Sequence, residues 1–100
     1  MATLHILSHS PFADSRMGSC LRLLGAGDGL LLSGDAVYAL QPGSIARQAL
    51  ELMPDSVTLH ALAEDLDART LTDLPERLNA VDYPAFIALC CHYDKVNSWL

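Results

Sequence analysis

The sequence predicts an α/β fold in three layers, with a central, mostly parallel sheet and helices on both of its faces. Three observations lead there. Short apolar runs of strand length alternate with segments of helical period from one end to the other. Gly, Pro, Asp and Ser clusters separate the two kinds of segment. No linker, internal repeat or low-complexity stretch interrupts the alternation, and 100 residues suit one domain, spanning 1–100.

Thr3 to Leu7 is a short strand with His5 and His9 at its polar ends. Ser8 to Phe12 is a loop, because Pro11 disfavours helix at Ser10. Asp14 or Ser15 then caps a helix whose Met17, Cys20, Leu21 and Leu24 share one face. The glycines of "GAGDG", Gly25 to Gly29, stop that helix. They are not a dinucleotide fingerprint, which would follow a strand and open a helix. Leu30 to Leu32 form a buried strand, Ser33 to Asp35 a turn, and Ala36 to Leu40 fits either strand or helix.

Pro42 to Ser44 opens a helix running to about Met53, with Ile45, Ala49, Leu50 and Met53 toward the core. Val57 to Ala63 alternates as a strand, and "EDLDARTL" supplies a helical turn after it. Leu78 to Val81 is a further strand. Asp82 caps a last helix with Pro84 in its first turn, and Phe86, Leu89, Cys90 and Tyr93 lie along one stripe. The chain ends in "KVNSWL", to which periodicity assigns no element.

Composition narrows the function classes. Apolar residues make up 51% of the chain and mean hydropathy is +0.25, a high load for a small soluble monomer. Burial of the excess against other subunits is the expected outcome. The longest apolar runs, such as Ala36 to Leu40, are far short of the roughly 20 residues of a spanning helix, so no membrane span is expected. No secretory signal is expected either: no Lys or Arg precedes Arg16, and His5, Ser8, His9 and Ser10 interrupt the early apolar residues. Three cysteines leave one unpaired, which suits a reducing compartment, and the expected location is cytoplasmic. Net charge is −6, and Arg16, Arg22, Arg47, Arg69, Arg77 and Lys95 are scattered rather than striped, so direct nucleic-acid binding is not expected.

Few residues carry candidate chemistry. Cys90, Cys91 and His92 are adjacent, and adjacent helical positions splay about 100° apart and cannot converge on one ion. No C-x-x-C, H-E-x-x-H or G-x-S-x-G occurs, so neither a metal nor a cofactor is expected. Cys90 and Cys91 read as small packing residues. His9, just beyond the first strand, lies where open sheets bind ligands, but such a histidine is more often a solvated loop residue. Cys20 falls within an apolar arc, which by itself makes it an inert core thiol. Arg16, four residues earlier, lies on an adjacent helix surface, where a guanidinium favours the thiolate.

Taken in order, "LHILSHSPF" (4–12), "LRLLGAGDGLLLSGDAVYAL" (21–40), "EDLDARTL" (64–71), "VDYPAFIAL" (81–89) and the terminal "VNSWL" resemble the TusB/DsrH family over nearly the whole chain. The resemblance implies a DsrE/DsrF/DsrH-like fold. It also implies a heterohexamer with TusC-like and TusD-like subunits, two of each chain. Such complexes relay sulfur as a cysteine persulfide from a TusA-like donor to a TusE-like acceptor, for 2-thiolation of the wobble uridine in tRNA. The DsrE, DsrF and DsrH trio is a similar assembly serving dissimilatory sulfur oxidation. The principal persulfide cysteine in these complexes belongs to the TusD- or DsrE-like subunit. Some members also carry a cysteine in the first helix, and Cys20 in "GSCLRLL" falls at that position. The resemblance thus makes Cys20 the candidate accessory persulfide carrier, provided that its sulfur is reachable and ionised. The alternative is a non-catalytic structural subunit.

Overall fold

Leu30, Leu31, Leu32, Leu59 and Ala61 are all buried, as strands covered on both faces require. In the computed structural model, which describes residues 2–13 and 15–99, five strands form one sheet. They are β1 (Thr3–Leu7), β2 (Gly29–Leu32), β3 (Thr58–Leu62), β4 (Leu78–Val81) and β5 (Lys95–Trp99). Every pairing is parallel and the spatial order is β4-β3-β2-β1-β5. The closing "KVNSWL", without an element in the periodicity, thus supplies the strand beside β1, with Leu4 opposite Val96 and Leu7 opposite Trp99.

The helices are α1 (Arg16–Leu23), α2 (Ile45–Glu51), α3 (Ala63–Ala68) and α4 (Tyr83–His92). Ser15 is the N-cap of α1 but its side chain makes no capping bond, and Asp14 lies outside the described residues. The ambiguous Ala36–Leu40 run is part of a 3₁₀ helix, Gly34–Leu40, opened by Gly34 at φ +52°. Ser44 caps α2 by accepting from Arg47 N–H at 3.1 Å, and Asp82 caps α4 by accepting from Ala85 N–H at 2.9 Å.

One expectation for α2 is overturned. Leu50 is fully buried and Met53 packs on the core, but Ile45 is 83% exposed. The stripe that meets the sheet is Ala46, Leu50 and Met53, spaced i, i+4 and i+7, and Ile45 lies about 100° round the helix from it. The winding of the chain explains the layers. Steps from β1 to β4 all run one way across the sheet, so right-handed crossovers place α1, the 3₁₀ helix, α2 and α3 on one face. The return to β5 runs the other way and leaves α4 on the second face. Two cores result. Leu7, Cys20, Leu30, Leu32, Val37, Leu40, Leu50 and Leu59 belong to the first. Leu4, Leu31 and Leu62, packed by Phe86, Leu89, Cys90 and Tyr93, make the second, as the predicted α4 stripe requires.

Arg77 gathers the loop that leaves α2. Its guanidinium donates to the carbonyls of Pro54 and Val57, both at 2.8 Å, and to that of Met53. At the other side of the sheet, Tyr93 Oη and Thr58 Oγ1 share a 2.7 Å hydrogen bond across the bare backbone of Gly29. A Cβ at position 29 would overlap the Tyr93 hydroxyl and the ring carbon bearing it. Gly29→Ala is therefore expected to cost about 1–3 kcal/mol of stability by overpacking, measured by urea denaturation. Adding Tyr93→Phe should recover only part of that loss, because the ring carbon still stands in the way. Full recovery would show that the hydroxyl alone sets the constraint.

Candidate functional site

Cys20 faces inward from α1 and has no exposed surface. Its thiol pKa is pushed up to about 12, first by burial and then by the Asp28 carboxylate. At neutral pH the group is therefore held as the thiol, with burial the larger of the two causes. In this closed fold the sulfur of Cys20 is enclosed and held as the thiol.

The carboxylate that acts on Cys20 belongs to a polar network that periodicity did not reveal. His5, expected at a polar strand end, is buried on β1 beneath α1. Trp99 Nε1–H donates to His5 Nδ1 at 3.1 Å, so the neutral ring carries its proton on Nε2. That nitrogen lies 3.9 Å from Asp28 Oδ2. Asp28 also accepts the backbone N–H groups of Thr3 and Gly25, each at 2.9 Å. Burial pushes its carboxyl up, but these two N–H donors and the nearby His5 outweigh it and hold the pKa below the ordinary value. A histidine beside an aspartate suggests a general base, but the lone pair such a base needs is capped here by the indole N–H. The network ties β5, β1 and the "GAGDG" turn together. Sequence spacing gave no signal for it, since its members are residues 5, 28 and 99.

The carboxyl ends of the strands, where open sheets bind ligands, are engaged internally. Gly34 N–H donates to Asp65 Oδ2 at 2.8 Å. Arg69 bridges to Asp35 at 2.8 Å and Asp65 at 3.7 Å, and its guanidinium lies 5.5 Å from the centre of the Tyr38 ring. His9 is exposed in the loop after β1. On α4, Cys90 is half-buried, with its pKa raised by burial and by Cys91, and Cys91 is exposed.

An open groove of about 350 Å³ runs between the loop after β1, α1 and α2. Pro11, Phe12, Met17, Leu21, Ile45 and Ala49 line it, and Ser15 brings its one polar side chain. Phe12 and Ile45 stand exposed at its rim. Such a groove can seat apolar side chains, and among the described residues its lining brings no acid, base or metal ligand. Among the described residues, no helix is long and apolar enough to cross a membrane.

The sequence model of the family described as DsrH like protein matches residues 9–96. The chain is 39% identical over 97 residues to Protein TusB of Erwinia tasmaniensis, covering 96% of this chain and 99% of that protein. It is 38% identical to Protein TusB of an Enterobacter species and 35% identical to that of Escherichia coli, with the same coverage of both chains. Among solved structures, the ychN protein of Escherichia coli superposes with a TM-score of 0.82 at 20% identity, over 99% of this chain and all of the other. MTH1491 of Methanobacterium thermoautotrophicum, a protein of unknown function, superposes with a TM-score of 0.71 at 17% identity over 96% of each chain. These two likenesses establish the fold.

Two expectations follow from the site. Native alkylation with iodoacetamide at pH 7.5, read by peptide mass spectrometry, should modify Cys91 first. Cys20 should react at least about a thousandfold more slowly until denaturant is added; comparable rates would show that α1 opens readily. Asp28→Asn should lower stability by about 1–3 kcal/mol at pH 7 by loosening the Thr3 and Gly25 contacts. Because the native carboxyl pKa is depressed, its contribution is present above the ordinary carboxylate range and fades as pH falls through the native value. Denaturation curves of the two proteins should converge in acid.

Proposed function

The chain belongs to the family of DsrH-like proteins, and on that premise we propose that it is a TusB-like subunit of a cytoplasmic, multi-subunit sulfur-relay assembly. Near full-length similarity to proteins named TusB, at 35–39% identity, carries this reading. The partners in it are TusC-like and TusD-like chains in a heterohexamer. A TusA-like carrier brings the sulfur, a TusE-like carrier takes it on, and the product is 2-thiolated wobble uridine in tRNA. The apolar load and the groove rimmed by Phe12 and Ile45 favour a chain that completes its burial against other subunits.

In each relay step a thiolate attacks the outer sulfur of a donor persulfide. The S–S bond breaks, the donor thiolate leaves, and the acceptor holds the new persulfide. A cysteine that takes part must be reachable and partly ionised. Cys20 is enclosed, with its pKa near 12, so the reading favoured here is a structural subunit whose TusD-like partner supplies the reacting thiol. The accessory-carrier reading of Cys20 rests on its place in the first helix, and it requires α1 to lift from the sheet.

Reconstitution with the partner chains tests both levels. The chain should co-purify with TusC-like and TusD-like subunits, and a stable monomer that binds neither would overturn the assembly reading. Cys20→Ser in the assembled complex is expected to leave the rate of sulfur transfer to the TusE-like acceptor within about twofold of wild type. A fall of tenfold or more, with a mass gain of one sulfur atom trapped on Cys20, would instead make this chain a carrier.

A further inference from the structure

His60 lies in the middle of β3, in register with Leu31 of β2 and Asn79 of β4, on the sheet face that α4 covers. It is 7% exposed, and neither ring nitrogen has a hydrogen-bond partner. A neutral imidazole brings one donor and one acceptor, and a buried ring with both unmet is uncommon. The sheet positions around it are apolar or neutral: Leu4, Ile6, Leu31, Asn79, Val81 and Ser98. The inward stripe of α4 adds two titratable groups, Cys90 and Tyr93, and the Tyr93 hydroxyl is bound to Thr58. The carboxylates flanking α4 are engaged elsewhere, Asp82 with Ala85 N–H and Asp94 with Ala2 N–H. Among the described residues, nothing on this face offers a charged His60 a counterion. Burial accordingly holds its pKa below the ordinary histidine value.

The cover itself is held lightly. No residue of α4 is fully buried, and Tyr83 and Ile87 are exposed on its outer side. The Tyr93–Thr58 and Asp94–Ala2 bonds both anchor its carboxyl end. We propose that α4 is a proton-sensitive cover: a proton taken up from solvent by His60 releases the helix and bares the apolar face formed by Leu4, Leu31 and Leu62. With α4 lifted, the ring is solvated and binds a proton at the ordinary value of about 6.5. The open form therefore holds more protons than the covered one once the pH drops below that value. Opening grows as pH falls, by at most about tenfold per unit.

Hydrogen–deuterium exchange on the full chain between pH 7.5 and 5, corrected for intrinsic exchange rates, tests this. The α4 amides are expected to lose protection by up to about tenfold per unit below pH 6.5, while those of β1 and β2 stay protected. His60→Leu and His60→Gln, which cannot take up the proton, should show α4 protection independent of pH. Three results would overturn the proposal: a flat wild-type profile, the same slope in the variants, or loss of β1 and β2 protection in step with α4. If neither variant folds, NMR titration of the wild-type ring decides. A depressed midpoint that moves the α4 resonances supports the cover, and an ordinary midpoint rejects it.

Discussion

A five-stranded parallel sheet must be covered on both faces, and this chain has one helix for the second. That imbalance follows from the winding. Steps in one direction from β1 to β4 place every earlier helix on one side, and the single reversal to β5 sends only α4 to the other. The well-covered face holds a dense core that includes Cys20. The thinly covered face holds Leu4, Leu31 and Leu62 under a helix with no fully buried residue. Tight packing on one side and loose packing on the other shape what each reactive group can do.

On the dense side, polar groups serve the fold. Asp28 gathers the Thr3 and Gly25 backbone and approaches His5, whose other nitrogen is closed by Trp99. The same carboxylate adds to the burial that keeps Cys20 a thiol. The cations are used in a similar way. Arg47 donates to the carbonyls of Leu40 and Asp73, Arg69 bridges Asp35 and Asp65, and Arg77 gathers carbonyls of the loop between α2 and β3. These three guanidiniums hold the chain's own loops in place. Two apolar surfaces remain open to a partner, the groove between α1 and α2 and the outer side of α4.

The α/β class, the strands β1 to β4 and the cap at Asp82 were legible in the sequence. Each rests on local physics: a short apolar run, a helical stripe, or a side chain that satisfies a nearby N–H. The inward stripe of α4 was equally legible, because Phe86, Leu89, Cys90 and Tyr93 keep helical spacing. The helical arc of Cys20 already pointed to the core. What spacing could not supply was the state of that thiol, which is set by desolvation under the layer above the sheet and by the Asp28 carboxylate.

Tertiary structure alone decided the rest. The strand β5 has little apolar patterning, and it becomes a strand because β1 leaves a free edge beside it. Ile45 is exposed because the angle at which α2 meets the sheet selects Ala46, Leu50 and Met53. The joining of His5, Asp28 and Trp99, and the stranding of His60 without a partner, depend on strand order and register. Local sequence determines which elements form, because their energies arise between near neighbours. Which side chains meet, and which are denied water, is set by contacts between residues far apart in the chain.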